Sequence, residues 1–167
     1  MLEGFPMPFS KAELLAAICA ELQAQIERIE HASRENAAAV SDEENKPEGE
    51  YDTRGLEASY IAGGQAQVAV ELKQALQAVR AMPVEDWPDG RPLAVGALVR
   101  LEAGSSRAWY FLAPAAGGVE VRNNGESVTV MTPASPLGRL LAGRLPGSAI
   151  TFPPGPRSRT WKIAEVR

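Results

Sequence analysis

The 167-residue chain has one cysteine, Cys19, and one histidine, His31. A single thiol excludes an internal disulfide framework, and one Cys with one His argues against a structural zinc site. Long apolar runs are missing too, and nothing approaches the ~20 residues that a membrane span needs. The short stretch Leu14 to Ala20 follows Glu3 and Glu13, with Lys11 as the only positive charge, which does not read as a signal peptide. The resulting expectation is a cytoplasmic protein. Proline is scarce in the first half: of thirteen prolines, only Pro47 falls between Phe9 and Met82.

What is present is ordinary for a folded chain, with 45% apolar residues and a net charge of -4. That small net charge conceals an asymmetry. Residues 1–90 carry 7 basic and 17 acidic side chains, a net of -10, whereas residues 91–167 carry 10 basic and 4 acidic, a net of +6. Such an imbalance points to two units that meet differently charged surfaces.

Proline is costly inside helices, so two proline-free stretches flanking Pro47 predict two helices and a turn. Ser10 and Glu13 form an S-x-x-E capping box that starts the first helix. Leu15, Ile18, Leu22, Ile26, Ile29 and Ala32 then recur on one face, broken by Gln25, and the helix runs to Val40. At 1.5 Å per residue this element spans roughly 46 Å. A return helix is expected from Leu56 to Met82, with a seam of Tyr60 or Ile61, Val68, Leu72, Leu76, Val79 and Met82. Gly63 and Gly64 weaken it, each by about 1 kcal/mol relative to alanine. Paired antiparallel, the helices make a long, thin coiled-coil hairpin.

Pro83, Pro88, Asp89, Gly90 and Pro92 mark a linker over residues 83–92. Short strand-like runs follow at 97–102, 108–112, 119–122, 127–131, 149–152 and 160–166, with Asn124-Gly125 as a hairpin signal. One short helix fits among them, capped by Ser135, opened by Pro136 and ended by Gly143. The expected class is α+β: a helical hairpin over residues 1–82, then an antiparallel sheet with one short helix over 93–167.

The hairpin tip, residues 41–55, holds six acids and two bases. Such a loop can stay solvated, or its carboxylates can hold a hard cation. It does not match the spacing of an EF-hand loop. A long rod with acids at its tip and a basic domain at its base is, however, a device for reaching. The base docks, and the tip carries carboxylates into a narrow place.

Two segments resemble the GreA/GreB family of bacterial transcription elongation factors. Ser135-Pro136-Leu137-Gly138, followed by a short helix and Gly143-Arg144-Leu145-Pro146-Gly147, is similar to the family's S-P-L-G motif and the G-basic-x-x-G after it. Lys46-Pro47-Glu48-Gly49-Glu50-Tyr51 resembles the K-E-N-A-E-Y of the family's tip, and Trp161 to Val166 resembles its last strand. The order of hairpin and C-terminal domain agrees as well. The resemblance implies an FKBP-like C-terminal domain that docks on bacterial RNA polymerase at the rim of the secondary channel, with Ser135, Pro136, Leu137 and Gly138 in the polymerase-binding segment. It implies a tip that enters the channel and shares the active-site magnesium, so that the polymerase cuts backtracked RNA by two-metal hydrolysis. The factor is then an accessory and not an enzyme, contacts nascent RNA indirectly and binds no DNA sequence specifically.

Aligned without gaps on Glu50-Tyr51, Glu44 falls on the first acid of the family's D-x-x-E pair and Pro47 on the second, with Glu48 one residue later. Glu44 and Glu48 are therefore the candidate pair for assisting catalysis and for the shared magnesium, with Asp42 and Glu43 in reserve. No metal or small-molecule cofactor is expected in the free protein. The same scaffold also serves non-cleaving channel inhibitors.

Other features have plainer readings. Cys19 lies beside the first seam as a packed thiol, and His31 has no partner for catalysis or metal binding. Trp109, Tyr110 and Phe111 occupy one strand, so alternation sends Tyr110 to the opposite face from its neighbours, and Phe152 and Trp161 are candidates to join the cluster. Arg100, Arg107, Arg122, Arg139 and Arg144 give the base its positive field, suited to an acidic protein surface or nucleic acid. Two rival functions follow: a coiled-coil interaction module that dimerises through its helices, and a prolyl isomerase or peptide-binding chaperone.

Overall fold

A computed structural model describes residues 9–43 and 54–167. Helix α1 spans Lys11–Glu43 and α2 spans Arg54–Arg80. The capping box forms as expected. The Ser10 backbone N–H donates to Glu13 Oε2 at 2.8 Å, and the Glu13 N–H donates to Ser10 Oγ at 3.3 Å. Phe9 and Leu14 occupy the staple positions on either side of it, and both are buried in one core. The helices run antiparallel: Lys73 Nζ meets Glu30 at 2.7 Å, and Ser33 Oγ donates to Gln65 Oε1 at 3.1 Å.

The first seam matches the expectation over Leu15, Ile18, Leu22 and Ile26, which are buried with Leu14 beside them, whereas Ile29 and Ala32 are only half-buried. The second differs in its distal half. Leu76 and Val79 are buried and Leu72 packs against them, but Tyr60 is 74% exposed, Ile61 58% and Val68 44%. Gln65 and Ala69 take the inward positions instead. The helical phase set by Leu72, Leu76 and Val79 is fixed at the base, where the helices meet the sheet, and it turns the larger distal side chains outward.

Six strands follow the linker: β1 Leu98–Ala103, β2 Ser106–Leu112, β3 Glu120–Asn123, β4 Glu126–Met131, β5 Ala149–Phe152 and β6 Arg159–Val166, with helix α3 at Pro136–Leu141. All lie within two residues of the expected runs. They form one sheet in the order β3-β4-β2-β1-β6-β5. Asn124 and Gly125 both have positive φ, 50° and 79°, as a tight β3–β4 hairpin requires.

One pairing departs from an all-antiparallel sheet: β2 and β4 are parallel, with Trp109 opposite Val128 and Phe111 opposite Val130. The β3–β4 hairpin inserts β4, not β3, beside β2. β4 buries Val128, Val130 and Met131, whereas four-residue β3 exposes Glu120 and Arg122. The apolar strand thus takes the interior place and the short charged one the edge.

Alternation along the strands divides the core between the two faces of the sheet. One face presents Leu98, Trp109, Phe111, Val121, Val128 and Val130 to the base of the hairpin. The other presents Val99, Leu101, Leu112, Met131, Ile150 and Ile163 to Leu137 and Leu141 of α3. Tyr110 packs on the α3 side, opposite its neighbours, and Phe152 and Trp161 join Tyr110 there, not Trp109 and Phe111.

Candidate functional site

The hairpin is anchored only at its base. Among the described side chains Ile26 is the last large one of α1 in the core, and α1 continues to Glu43. At 1.5 Å per residue the helix therefore extends about 25 Å beyond Ile26. Along this projection polar contacts join small and half-buried apolar ones, with Ala69 buried and Ile29 and Ala32 partly so. Lys73 pairs with Glu30, and its hydrogen bond and charge hold the Glu30 carboxyl below its ordinary value. Glu44 and Glu48 lie outside the described residues, as does the Lys46 to Tyr51 segment, while Asp42 and Glu43 are the last residues of α1. Among the described residues, no group of three His, Cys, Asp or Glu side chains is placed to hold a metal ion. His31 pairs with Glu35 one turn on, at 3.2 Å.

At the base, the Ser135–Gly138 segment builds the start of α3. Ser135 has extended backbone, and its Oγ accepts from the Gly138 N–H at 3.0 Å while donating to the Thr132 carbonyl at 2.8 Å. Pro136 follows at the first helical position, where its missing N–H costs nothing. Leu137 and Gly138 are buried, and Gly138 has no room for a β-carbon beside Thr132. Of the four residues only Pro136 is exposed. The exit of α3 is tied to the residue just after the linker, since Gly143 N–H donates to Leu93 O at 2.7 Å and Leu93 N–H to Arg144 O at 2.8 Å.

The linker also grips the first helix. Lys11 Nζ donates to Glu85 O at 2.5 Å and lies 5.7 Å from the Trp87 ring centroid, while the Arg91 guanidinium stacks on the same ring at 4.3 Å. Partial burial pulls the Lys11 pKa down, against the opposing charges of Asp86 and Glu85. Trp87 itself packs on the α3-side core. It links the two units, and proline punctuation alone gave no sign of this.

The positive charge of the base is unevenly placed. All four carboxylates of residues 91–167 are paired: Glu102 with Arg100, Glu165 with Arg100 and Arg167, Glu126 with Arg107, and Glu120 with Arg122. Arg100, Arg107 and Arg122, expected to contribute to the positive field, are thus largely neutralised on the sheet. Arg139 and Arg144 have no carboxylate partner among the described residues, and neither have Arg157 and Arg159, which the sequence reading did not single out. The signal for them was available, because residues 127–164 contain no Asp or Glu.

No protein-family model matches the chain. No curated protein matches it either. Among solved structures, the chain is similar to the GreA factor homolog 1 (Gfh1) of Thermus thermophilus, at 20% identity and a TM-score of 0.37, covering 90% of this chain and 95% of that one. It is similar to Thermus aquaticus Gfh1 at 18% identity and a TM-score of 0.36, covering 90% and 94%. It is also similar to the elongation factor GreA/GreB from Nitrosomonas europaea at 22% identity and a TM-score of 0.35, covering 69% and 93%.

Proposed function

We propose that this chain is a transcription elongation regulator that binds bacterial RNA polymerase, docking its base domain at the rim of the secondary channel and inserting the helical hairpin toward the active centre. The observation that carries this reading is the build of the hairpin. It is packed on one face of the sheet, extends about 25 Å past its last core residue and ends in the acidic segment 41–55. The other face, covered by α3, is left for docking, and the Ser135–Gly138 turn fixes α3 in place.

Glu44 and Glu48 supply carboxylate oxygens suited to magnesium, a hard cation that takes one or two carboxylates and keeps several waters. The magnesium belongs to the polymerase, so the chain is an accessory and the polymerase performs the hydrolysis of backtracked RNA. The protein acts in the cytoplasm, touches nascent RNA indirectly and reads no DNA sequence.

The deciding experiment measures RNA cleavage in a stalled, backtracked bacterial elongation complex with and without the protein, and with a Glu44→Ala/Glu48→Ala variant. Faster cleavage that the variant loses supports the cleavage-factor reading. No stimulation, but competition with an authentic cleavage factor, assigns a non-cleaving channel occupant. Absence of both effects sinks the reading. A second reading, a helical interaction module, draws on the exposed Leu56, Tyr60 and Ile61 of α2. Sedimentation as a concentration-independent monomer removes it.

A further inference from the structure

We infer that the α3 side of the base domain is a docking face for an acidic protein surface, with Arg139, Arg144, Arg157 and Arg159 making the contact in place of the Ser135–Gly138 turn. The inference rests on the polymerase reading above and names the chemistry of the surface that receives the base.

Arg139, Arg144 and Arg159 lie on the α3 side of the sheet, and Arg157 is two residues before Arg159. Arg139 lies on α3 and Arg144 just beyond its end. Arg159 is paired across the strands with Phe152, and Phe152 packs against the core that holds Leu137 and Leu141. Arg157 lies in the turn that precedes Arg159, directly after the proline-rich stretch Pro153-Pro154-Gly155-Pro156. All four are exposed. The side-chain hydrogen bonds of Arg139, Arg144 and Arg159 go to neutral oxygens, which orient the guanidinium groups without cancelling charge. Arg139 donates to Ala134 O, Arg144 Nε to Leu140 O at 3.4 Å, and Arg159 to Ser106 Oγ at 3.4 Å.

No acid of the base domain is left to neutralise them, because each of its four carboxylates is already bound to Arg100, Arg107, Arg122 or Arg167. Of the three linker acids, Glu85 and Asp86 act on Lys11, and Asp89 forms no ion pair with these arginines. Uncompensated guanidinium groups fit a partner rich in carboxylates, which they bind bidentately. Apolar side chains decide between protein and nucleic acid. Leu145, 49% exposed, directly follows Arg144, and Val95, 41% exposed, lies two residues past Leu93, the hydrogen-bond partner of Arg144. Apolar anchors among arginines are the composition of a protein interface. The Ser135–Gly138 turn, by contrast, spends its hydroxyl on the helix cap and buries Leu137 and Gly138.

The test is binding of the full-length protein to purified core RNA polymerase across a range of salt, with circular dichroism verifying the fold of each variant. The Arg139→Glu/Arg144→Glu and Arg157→Glu/Arg159→Glu variants are expected to bind at least about tenfold more weakly and with a shallower salt dependence. The control Arg122→Glu, on the far edge strand β3, stays within about twofold. Wild-type binding that both double variants retain overturns the docking face and leaves the polymerase reading intact. Wild type that does not bind polymerase removes both. Loss of binding to a single-stranded oligonucleotide, with polymerase binding unchanged, overturns the protein partner in favour of nucleic acid.

Discussion

A β-carbon placed on Gly138 would lie 1.9 Å from the carbonyl oxygen of Thr132, on backbone that has nowhere to move. The close approach exists because Ser135 Oγ bridges the two, accepting from Gly138 N–H and donating to Thr132 O. Gly138→Ala is therefore expected to destabilise the protein by about 1–3 kcal/mol, the range for overpacking a tight core. Ser135→Ala should cost about 1 kcal/mol, the usual loss of an N-cap. Urea unfolding measures both, and a Gly138→Ala variant as stable as wild type would refute the account of the turn.

The capping box gives a pH dependence with a definite sign. Hydrogen bonds from the Ser10 side chain and backbone hold the Glu13 carboxyl below its ordinary value. A carboxylate depressed in the folded state stabilises it above the unfolded pKa, and that contribution is lost as pH falls through the folded one. The stability difference between wild type and Glu13→Ala should be largest at neutral pH and shrink below about pH 4. A difference independent of pH would show that the carboxylate's charge plays no part.

The hairpin should be sensitive at its base and tolerant along its outer face. Leu22 is fully buried between the helices and the sheet, so Leu22→Ala should cost about 2–5 kcal/mol. Tyr60→Ala, at an exposed position, should change stability by only about 0.5 kcal/mol. Equal effects in thermal melts would mean that the distal helix is packed in solution.

Magnesium titration addresses the tip. If Glu44 and Glu48 share the polymerase's metal, Glu44→Gln should raise the magnesium concentration needed for half-maximal RNA cleavage, with excess magnesium restoring part of the rate. A lower rate at every magnesium concentration, with no shift in requirement, argues that Glu44 does not act through the metal.

The chain's local chemistry was enough to determine its elements. The Ser10–Glu13 box and the 3.6-residue recurrence of Leu15, Ile18, Leu22 and Ile26 dictate the first helix, because capping and amphipathicity are properties of neighbours in sequence. Asn124-Gly125 and Ser135-Pro136 dictate a turn and a helix start for the same reason. Only the tertiary structure decided what those elements meet. It set the parallel β2–β4 pairing, turned Tyr60, Ile61 and Val68 outward, and packed Trp87 between Lys11 and the base domain. It also decided which arginines remain free, since Arg100 and Arg107 read like Arg139 and Arg144 until the strands bring Glu165 and Glu126 beside them. Periodicity says which side of an element is apolar, but partner, register and charge compensation depend on residues distant in the chain.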